Sequence, residues 1–243
     1  MKVSILILVF NKYQTAKYCV EAALSNSTLH MGEVEFLIWC NSPIDITKTW
    51  IKGLKNPKIS KIFISDKNIG VSAYNYLMQY ATGEYFIELD DDVVPPEGYD
   101  KALFDGMAVV PEDVALMGID MTWGGRKTTF GTRYPDLEFP VVKCGNNIIR
   151  IYSEGDSDLV PGTCRISHRS FWNKINHPVV LYGTDLAINK KAFANGYKTA
   201  YMMSVNGEVV IHRPSSEQMT REWKHKTLKE SAKKFFNESE KEE

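Results

Sequence analysis

The chain has 243 residues, of which 44% are hydrophobic and 24% are charged, and this balance is typical of soluble globular domains. Its formal net charge of −1 excludes a strong overall field that would recruit nucleic acid or a membrane surface. The length suits one large domain, or two small domains that share a sheet.

The cysteines and the N-terminal segment indicate a cytoplasmic protein. The cysteines lie far apart and form no C-x-x-C motif, so we expect reduced thiols at Cys19, Cys40, Cys144 and Cys164. Met1–Phe10 is apolar like a signal peptide, but it is short and no small-residue cleavage site follows it. We predict that it is a buried first strand. No apolar run reaches the ~20 residues that a membrane span needs.

Residues 3–89 alternate between two hydrophobic patterns. Apolar runs rich in β-branched residues predict strands covered on both faces, and apolar residues at i, i+3, i+4, i+7 and i+8 predict helices. The predicted strands are Val3–Phe10, Val34–Cys40, Lys61–Ser65 and Glu84–Leu89. The predicted helices contain Ala16 to Leu24, Ile44–Leu54 and Ala73 to Ala81, with Gly83 placed to end the third.

This alternation of strand and helix predicts a parallel sheet with helices on its faces. Right-handed crossovers put the carboxyl ends of parallel strands at one edge, where such sheets bind ligands. The polar residues that follow the predicted strands are Asn11, Asn41, Asp66, Asn68 and Asp90–Asp92. We therefore expect a binding site at this edge.

The later part of the chain has a less regular pattern. Residues 122–161 are rich in Gly, Pro, Asn and Asp, which predicts loops and short antiparallel strands. Polar sequence rich in Lys and Glu begins at Ser215. The other predicted elements are a helix at Glu97–Val109, an extended segment at Val114–Gly118, a helix at Asp185–Ala194 capped by Thr184 and Gly196, and a strand at Val209–Ile211.

Three adjacent carboxylates, Asp90-Asp91-Asp92, follow the fourth predicted strand. They repel one another, and a divalent cation would remove that conflict. Oxygen ligands suit Mg²⁺ or Mn²⁺, and such a cation can hold a diphosphate. If strand geometry continued, Asp90 and Asp92 would point to one side and Asp91 to the other. The alternative is a solvated acidic turn before Pro95-Pro96.

Two residues far along the chain are candidates for the same site. His212 follows the apolar stretch Val209–Ile211, and an imidazole ligand would favour Mn²⁺ over Mg²⁺. A surface or capping role for His212 is the alternative. Asp185 begins a predicted helix, where the helix dipole favours a negative charge whether or not the residue takes part in catalysis. Both alternatives stay open at this point.

The order and spacing of several segments carry a family resemblance. The segments are Val3–Lys12, Asn68–Asn75, Gly83–Asp92, Gly162–Phe171 and Tyr182–Tyr197. In this order they resemble the opening strand, the N-x-G…N motif, the DXD segment, the acceptor-side segment and the catalytic-acid segment of family 2 glycosyltransferases of the GT-A fold. The resemblance covers residues 3–213.

The resemblance implies an α/β fold of the GT-A type, in which a Rossmann-like, mostly parallel sheet is flanked by helices and joined by a smaller antiparallel acceptor-side portion. It implies one domain at 1–214, with a nucleotide-binding half at 1–95 and an acceptor-side half at 96–214, before a polar helical tail at 215–243. The implied activity is metal-dependent, inverting transfer of a sugar from a nucleotide-sugar donor, expected to be a UDP-sugar. The acceptor would be a carbohydrate or a lipid-linked molecule.

The resemblance also implies roles for single residues. Asp92 and His212 would hold Mn²⁺ or Mg²⁺, and Asp185 would be the catalytic base. The residues expected to contact the nucleotide-sugar are Leu8, Phe10, Asn11, Asn41, Asn68, Gly70, Asn75, Asp90 and Asp91.

Two departures from the family stand out. Cys40-Asn41 replaces the usual Asp-Asn, for which Asp66 is a candidate substitute, and Thr184-Asp185 replaces Glu-Asp, which leaves Asp185 to act alone.

Two other functions stay open. A sugar nucleotidyltransferase has a related sheet, but it needs a glycine-rich phosphate loop after the first strand, and this chain has no glycine before Gly32. A non-catalytic carbohydrate-binding relative would keep the fold without turnover. Aromatic residues that could stack on an acceptor, or equally lie in the core, are Trp123, Tyr134, Tyr152 and Trp172.

The tail has a basic character of its own. Between Arg221 and Lys234 there are six Lys or Arg residues against two Glu, with apolar residues at helical spacing. One interpretation is a helix that packs on the catalytic body. The other is a basic amphipathic helix that rests on an anionic membrane, where a lipid-linked acceptor would be found.

Overall fold

The computed structural model of the chain describes residues 1–10, 13–123, 139–153, 163–177 and 184–212. These residues form a mixed α/β fold on a nine-stranded sheet, with a separate three-stranded sheet. The predicted α/β architecture is confirmed. All four cysteines lie in these ranges and none forms a disulfide, as expected. No helix within the same ranges is both long enough and apolar enough to cross a membrane.

Parallel strands form the first part of the large sheet. They are β1 (Val3–Val9), β2 (Val34–Asn41), β3 (Ile59–Ser65) and β4 (Tyr85–Asp90). Their order is β3-β2-β1-β4, and Val3 lies opposite both Val34 and Tyr85, so the three central strands begin at one edge and end at the other. All of β1 is buried, because continuous apolar runs suit strands that are covered on both faces.

Three helices connect these strands: α1 (Tyr13–Asn26), α2 (Asp45–Gly53) and α3 (Ala73–Tyr80), the last preceded by a 3₁₀ turn at Gly70–Ser72. The spacing of apolar residues correctly predicts the buried face of α1. That face consists of Ala16, Cys19, Val20, Ala23 and Leu24. The predicted bounds of β1 to β4 and of α2 agree with the observed ones within two residues.

The later part of the chain completes the large sheet and forms the small one. Its elements are β5 (Val93–Val94), α4 (Tyr99–Val109), β6 (Val114–Ile119), β7 (Met121–Trp123), β8 (Val141–Cys144), β9 (Asn147–Tyr152), β10 (Cys164–His168), α5 (Arg169–Ile175), α6 (Thr184–Ala194), β11 (Lys198–Met202) and β12 (Val210–His212). The large sheet continues from β4 in the order β10-β6-β11-β9-β8, and β10 is antiparallel to both of its neighbours. The small sheet has the order β5-β12-β7.

Two hydrophobic clusters cover the two faces of the large sheet. Side chains such as Ile5 and Ile87 pack with α1 and α4 on one face. Leu6 and Phe86, which alternate with them along β1 and β4, pack with α3, α5 and α6 on the other. The face that carries α6 is the one from which Asp185 reaches the carboxyl end of β4.

Two local predictions are wrong. Gly83 does not end α3, which stops at Tyr80. A Cβ on Gly83 would lie 2.6 Å from the backbone nitrogen of Ser4, so the residue is glycine because the chain passes close to β1. The strand before the acidic cluster ends at Asp90, and Asp91 and Asp92 form a turn, so the strand alternation considered for these residues does not apply.

Candidate active site

The carboxyl ends of β1 and β4 are joined by a hydrogen bond from the acidic cluster. The backbone N–H of Phe10 donates to Asp91 Oδ2 over 2.7 Å, and Asp91 is buried. The Asp91 carboxylate therefore fixes where the chain leaves β1. Leu8, also expected at the site, lies opposite Asp90 in the register of these strands. Asn11, the next expected contact, lies outside the described residues.

Asp90 has an unfavourable environment for a carboxylate. Burial raises its pKa well above the ordinary value, and the negative charges of Asp92, Asp185 and Asp91 raise it further, while the Arg165 guanidinium acts in the opposite sense. Asp185 comes from the first turn of α6, far from the triplet in sequence. The structure thus brings Asp185 into the same electrostatic cluster as Asp90–Asp92.

The small sheet brings His212 to the same place. β12 is antiparallel to β5, with His212 opposite Val93, directly after the acidic triplet. His212 Nε2 lies 3.7 Å from Asp92 Oδ1, and both side chains are largely buried. One imidazole and one carboxylate are a donor set that suits Mn²⁺. The excess negative charge around Asp90 also favours a cation there.

The pair of Asp92 and His212 fits a metal ion that takes most of its ligands from water and from the substrate. Among the residues that the structure describes, no group of three or more His, Cys, Asp or Glu side chains is arranged to hold a metal. Cations that act on phosphates often use one or two protein carboxylates, and water and the substrate's phosphates supply the rest. Asp92 and His212 are compatible with that mode and not with a metal cage made of protein ligands.

Asn41 holds the loop that carries the N-x-G motif. Its Oδ1 accepts hydrogen bonds from Trp39 Nε1 at 3.0 Å and from the Ile69 N–H at 3.2 Å, and its Nδ2 donates to the Gly70 carbonyl at 3.1 Å. Asn68 Oδ1 in turn accepts from the Gly70 N–H at 2.9 Å. Gly70 has φ of +59°, a left-handed conformation that glycine adopts without strain. Asn41 and Asn68 therefore shape the backbone of this loop.

Asn75 and Asp66 lie in opposite environments. Asn75 forms hydrogen bonds with both backbone groups of His177, at 2.8 and 2.9 Å, and so ties α3 to the end of the α5 segment. Asp66 is exposed over 92% of its side chain and lies 3.6 Å from Lys48 Nζ. Asn75 is thus occupied by a structural contact, whereas Asp66 is accessible to a ligand.

Apart from one charge inside a predicted buried strand, the sequence pattern gives no signal for Arg165, Glu88 and His177, which lie beside the site. Arg165 Nη2 donates to Glu88 Oε2 over 2.7 Å, and Arg165 Nη1 lies 3.3 Å from Asp185 Oδ1. His177 Nε2 lies 3.4 Å from the same Glu88 oxygen. Burial alone would raise the pKa of Glu88, but the charge of Arg165 and the contact with His177 hold it below its ordinary value. A charged residue inside a predicted buried strand is the only hint that the sequence offered.

Of the four aromatic residues considered for stacking on an acceptor, two lie in the core and the side chains of the other two are not described. Tyr152 and Trp172 are buried in the cluster on the α6 face, so neither offers a ring to a sugar. The structure does not describe the Trp123 side chain, and Tyr134 lies outside the described residues, as does the tail from 215 to 243.

A sequence profile of the family described as glycosyl transferase family 2 matches residues 4–172. The match includes the strands from β1 to β10 and the acidic triplet. No curated protein sequence matches the chain significantly.

Solved structures share the fold at low sequence identity. S. aureus TarS 1–349 in complex with UDP-GlcNAc has a TM-score of 0.65 and 15% identity, and the match covers 90% of this chain and 60% of that one. The mannosyltransferase PcManGT from Pyrobaculum calidifontis, with GDP-Man and Mn²⁺, has a TM-score of 0.65, 12% identity and coverage of 89% and 58%. GalNAc-T7 with UDP, GalNAc and Mn²⁺ has a TM-score of 0.62, 15% identity and coverage of 89% and 44%. This chain thus spans less than two thirds of the length of each.

Proposed function

The chain belongs to glycosyl transferase family 2 and has the GT-A fold, and from this premise we propose that it transfers a sugar from a nucleotide-sugar donor to an acceptor hydroxyl. The observation that carries the proposal is the convergence of Asp90–Asp92, His212 and Asp185 at the carboxyl end of β4. These residues come from three distant parts of the chain. Stability alone does not favour a cluster of repelling carboxylates.

We assign the donor to the edge formed by the ends of β1, β2 and β4. The backbone of residues 8–11 and the loop of Asn68 and Gly70 would hold the nucleotide, and Asp90 or Asp91 would contact its ribose. Asn41 and Asn75 act by holding these loops in place, because their amides already bind backbone groups. Asp66 would supply the carboxylate that the Cys40-Asn41 pair lacks. The similar structures of TarS and GalNAc-T7 contain UDP-GlcNAc and UDP, and this supports a UDP-sugar as the donor. PcManGT contains GDP-Man, so GDP-mannose is the second donor to test.

Asp92 and His212 would hold the divalent cation, Mn²⁺ or Mg²⁺, and two of the similar structures contain Mn²⁺. When bound, the cation would stabilise the negative charge on the departing nucleotide diphosphate. Asp92 would hold it through a carboxylate oxygen, and His212 through an imidazole nitrogen. The contacts that β12 makes with both β5 and β7 hold His212 in place for this purpose.

Asp185 would be the general base. An acceptor hydroxyl is a poor nucleophile at neutral pH and must lose its proton as it attacks the anomeric carbon, and a carboxylate within hydrogen-bond reach accepts that proton. The Asp185 side chain is 44% exposed, so an acceptor can reach it. Direct attack of this kind inverts the anomeric configuration of the transferred sugar.

A two-stage experiment tests the proposed function. Thermal shift with Mn²⁺ and a panel of UDP-sugars and GDP-mannose identifies the donor, because a ligand that binds the folded state raises Tm. Incubation of that donor with carbohydrate and lipid-linked acceptors then measures transfer, and NMR gives the anomeric configuration of the product. We expect transfer with inversion. A retained configuration would contradict the role of Asp185, and donor binding without transfer or donor hydrolysis would identify a non-catalytic binding protein instead.

The tail at 215–243, which lies outside the described residues, bears on whether the acceptor is reached at a membrane. We propose peripheral contact of its basic segment, Arg221–Lys234, with the inner face of an anionic membrane, which agrees with the cytoplasmic location expected from the sequence. Co-sedimentation with phosphatidylserine vesicles and with neutral phosphatidylcholine vesicles tests it. Binding to the anionic vesicles alone supports the proposal, and no binding to either favours a tail that packs on the catalytic body.

A further inference from the structure

The register of two strands places one arginine between the core and the site. β10 is antiparallel to β4, with Arg165 directly opposite Glu88. Side chains opposite each other in such a pair project to the same face. Glu88 follows Phe86 by two residues and therefore shares its face, which is the one covered by α6. Arg165 thus lies between β4 and the helix that carries Asp185.

The two contacts of Arg165 differ in exposure. Glu88 is 1% exposed and Asp185 is 44% exposed, and the Arg165 side chain itself is 1% exposed. Separate nitrogens of the guanidinium make the two contacts, at 2.7 Å to Glu88 and at 3.3 Å to Asp185. The guanidinium is therefore anchored on its buried side and presents a fixed positive group on the side that faces the solvent-accessible carboxylate.

Glu88 is itself held in place. His177 Nε2 contacts the same carboxylate oxygen, and the His177 ring stacks on Trp172 with a centroid distance of 5.1 Å. Asn75 in turn binds both backbone groups of His177. A chain of contacts thus runs from α3 through His177, Glu88 and Arg165 to Asp185. A planar guanidinium bridges two carboxylates in fixed directions, which a lysine ammonium cannot do.

We propose that Arg165 is a positioning residue for Asp185: its guanidinium, anchored on Glu88, orients the Asp185 carboxylate toward the acceptor and offsets the repulsion between Asp185 and Asp90–Asp92. This inference rests on the proposed role of Asp185 as base. Arg165 itself touches neither donor nor acceptor in this scheme. A buried ion pair is weak evidence of a stabilising role, so its contact with Asp185 is the feature that the positioning role explains.

The test is a double-mutant cycle on transfer. Arg165→Lys keeps the charge and loses the bridging geometry, so we expect kcat to fall by ~10²-fold, as for a misplaced catalytic group, while the donor KM changes by less than about twofold. In an Asp185→Asn background the same change should lower kcat by less than about twofold, because there is no base left to position. Arg169→Lys is the matched control, since the hydrogen bonds that the Arg169 guanidinium makes to described residues go to the backbone carbonyls of Gly83 and Ala81 and not to a carboxylate.

Glu88→Gln gives a second route to the same answer if Arg165→Lys fails to fold, which circular dichroism and Tm will show. It keeps the size of the side chain, weakens the anchor of Arg165 and should follow the same cycle. Equal losses of kcat with and without Asp185→Asn, or a loss no greater than that of Arg169→Lys, would overturn the positioning role and leave the base assignment intact. Near-normal transfer by Asp185→Asn alone would instead overturn the proposed base, and the positioning role with it.

Discussion

The parallel strands have a carboxylate at each of their two ends, and the pKa values of these two carboxylates are shifted in opposite directions. At the edge where β1 and β2 begin, Glu35 Oε1 accepts hydrogen bonds from Ser4 Oγ at 2.7 Å and from the Thr82 N–H and hydroxyl at 2.6 and 2.8 Å. Lys2 Nζ lies 3.4 Å from the other oxygen. Burial opposes its ionisation, but these contacts prevail and lower the pKa of Glu35 to about 2.

At the edge where β4 ends, the balance has the opposite sign. Burial and the neighbouring charges of Asp92, Asp185 and Asp91 raise the pKa of Asp90 well above its usual value. The first edge uses a carboxylate to join strands, and its electrostatics favour the folded state. The second edge keeps an unresolved repulsion that a cation and a substrate can relieve. The first edge therefore stabilises the fold, and the second edge is the one that we propose binds ligands.

The largest effect is expected from Asp92→Ala at the second edge. Loss of a cation ligand should lower transfer by more than ~10³-fold, while Tm in metal-free buffer stays the same or rises because one repelling charge is gone. Transfer assays, Mn²⁺ titration calorimetry and thermal melts measure the three quantities. Asp105→Ala is the control, because Asp105 pairs with Lys101 outside the cluster. Full activity of Asp92→Ala in EDTA would remove the metal from the proposed function.

A loss of ~10²–10⁴-fold in transfer is expected for Asp185→Asn, with donor binding retained, because the amide keeps the shape of the side chain and cannot accept the acceptor's proton. Calorimetry of donor binding and initial rates separate the two effects. Asp45→Asn changes an acidic residue in the first turn of another helix and controls for the helix dipole. Near-normal transfer would mean that Asp185 only stabilises the start of α6.

At the first edge, Glu35→Gln should change stability and leave the donor KM and kcat unaltered. A carboxylate whose pKa is about 2 when folded and near 4.5 when unfolded adds stability above pH 4.5, and this stability is lost as the pH falls from 4.5 toward 2. We expect the free energy of unfolding at pH 7 to fall by on the order of 3 kcal/mol, and we expect stability to depend less on pH in the acid range. Urea unfolding at pH 7 and pH 3 measures both. If the substitution left the pH dependence unchanged, the lowered pKa of Glu35 would be contradicted.

The smallest effect is expected from Asp66→Asn, beside the second edge. Asp66 is exposed and its contact with Lys48 is long, so Tm should not change measurably. If its carboxylate contacts the base of the donor, the donor KM should rise about fivefold, which corresponds to one lost hydrogen bond. Steady-state kinetics with the identified donor measures this. An unchanged KM would exclude Asp66 from donor binding.

Local patterns predict the first part of the fold because its strands and helices each follow their own period. β1 is a continuous apolar run, and α1 buries the five residues that its spacing indicates. The acidic triplet is also visible in the sequence, since carboxylates directly after a buried strand are unusual. What these patterns cannot give is long-range register. The pairing of Arg165 with Glu88 depends on β10 lying against β4, and no local period encodes it.

The positions of two strands impose an order on the assembly of the site during synthesis. β10 inserts between β4 and β6, and β12 inserts between β5 and β7, so each fills a gap left by strands made earlier. A nascent chain emerges N-terminus first, and an unpaired strand edge is a template for wrong association. Until β10 emerges from the ribosome, β4 has an open edge, and until β12 emerges, Asp92 lacks His212. The strands at the proposed donor site are therefore made before some of the strands that pair with them, and the pair proposed to hold the cation is the last part of the described site to be completed.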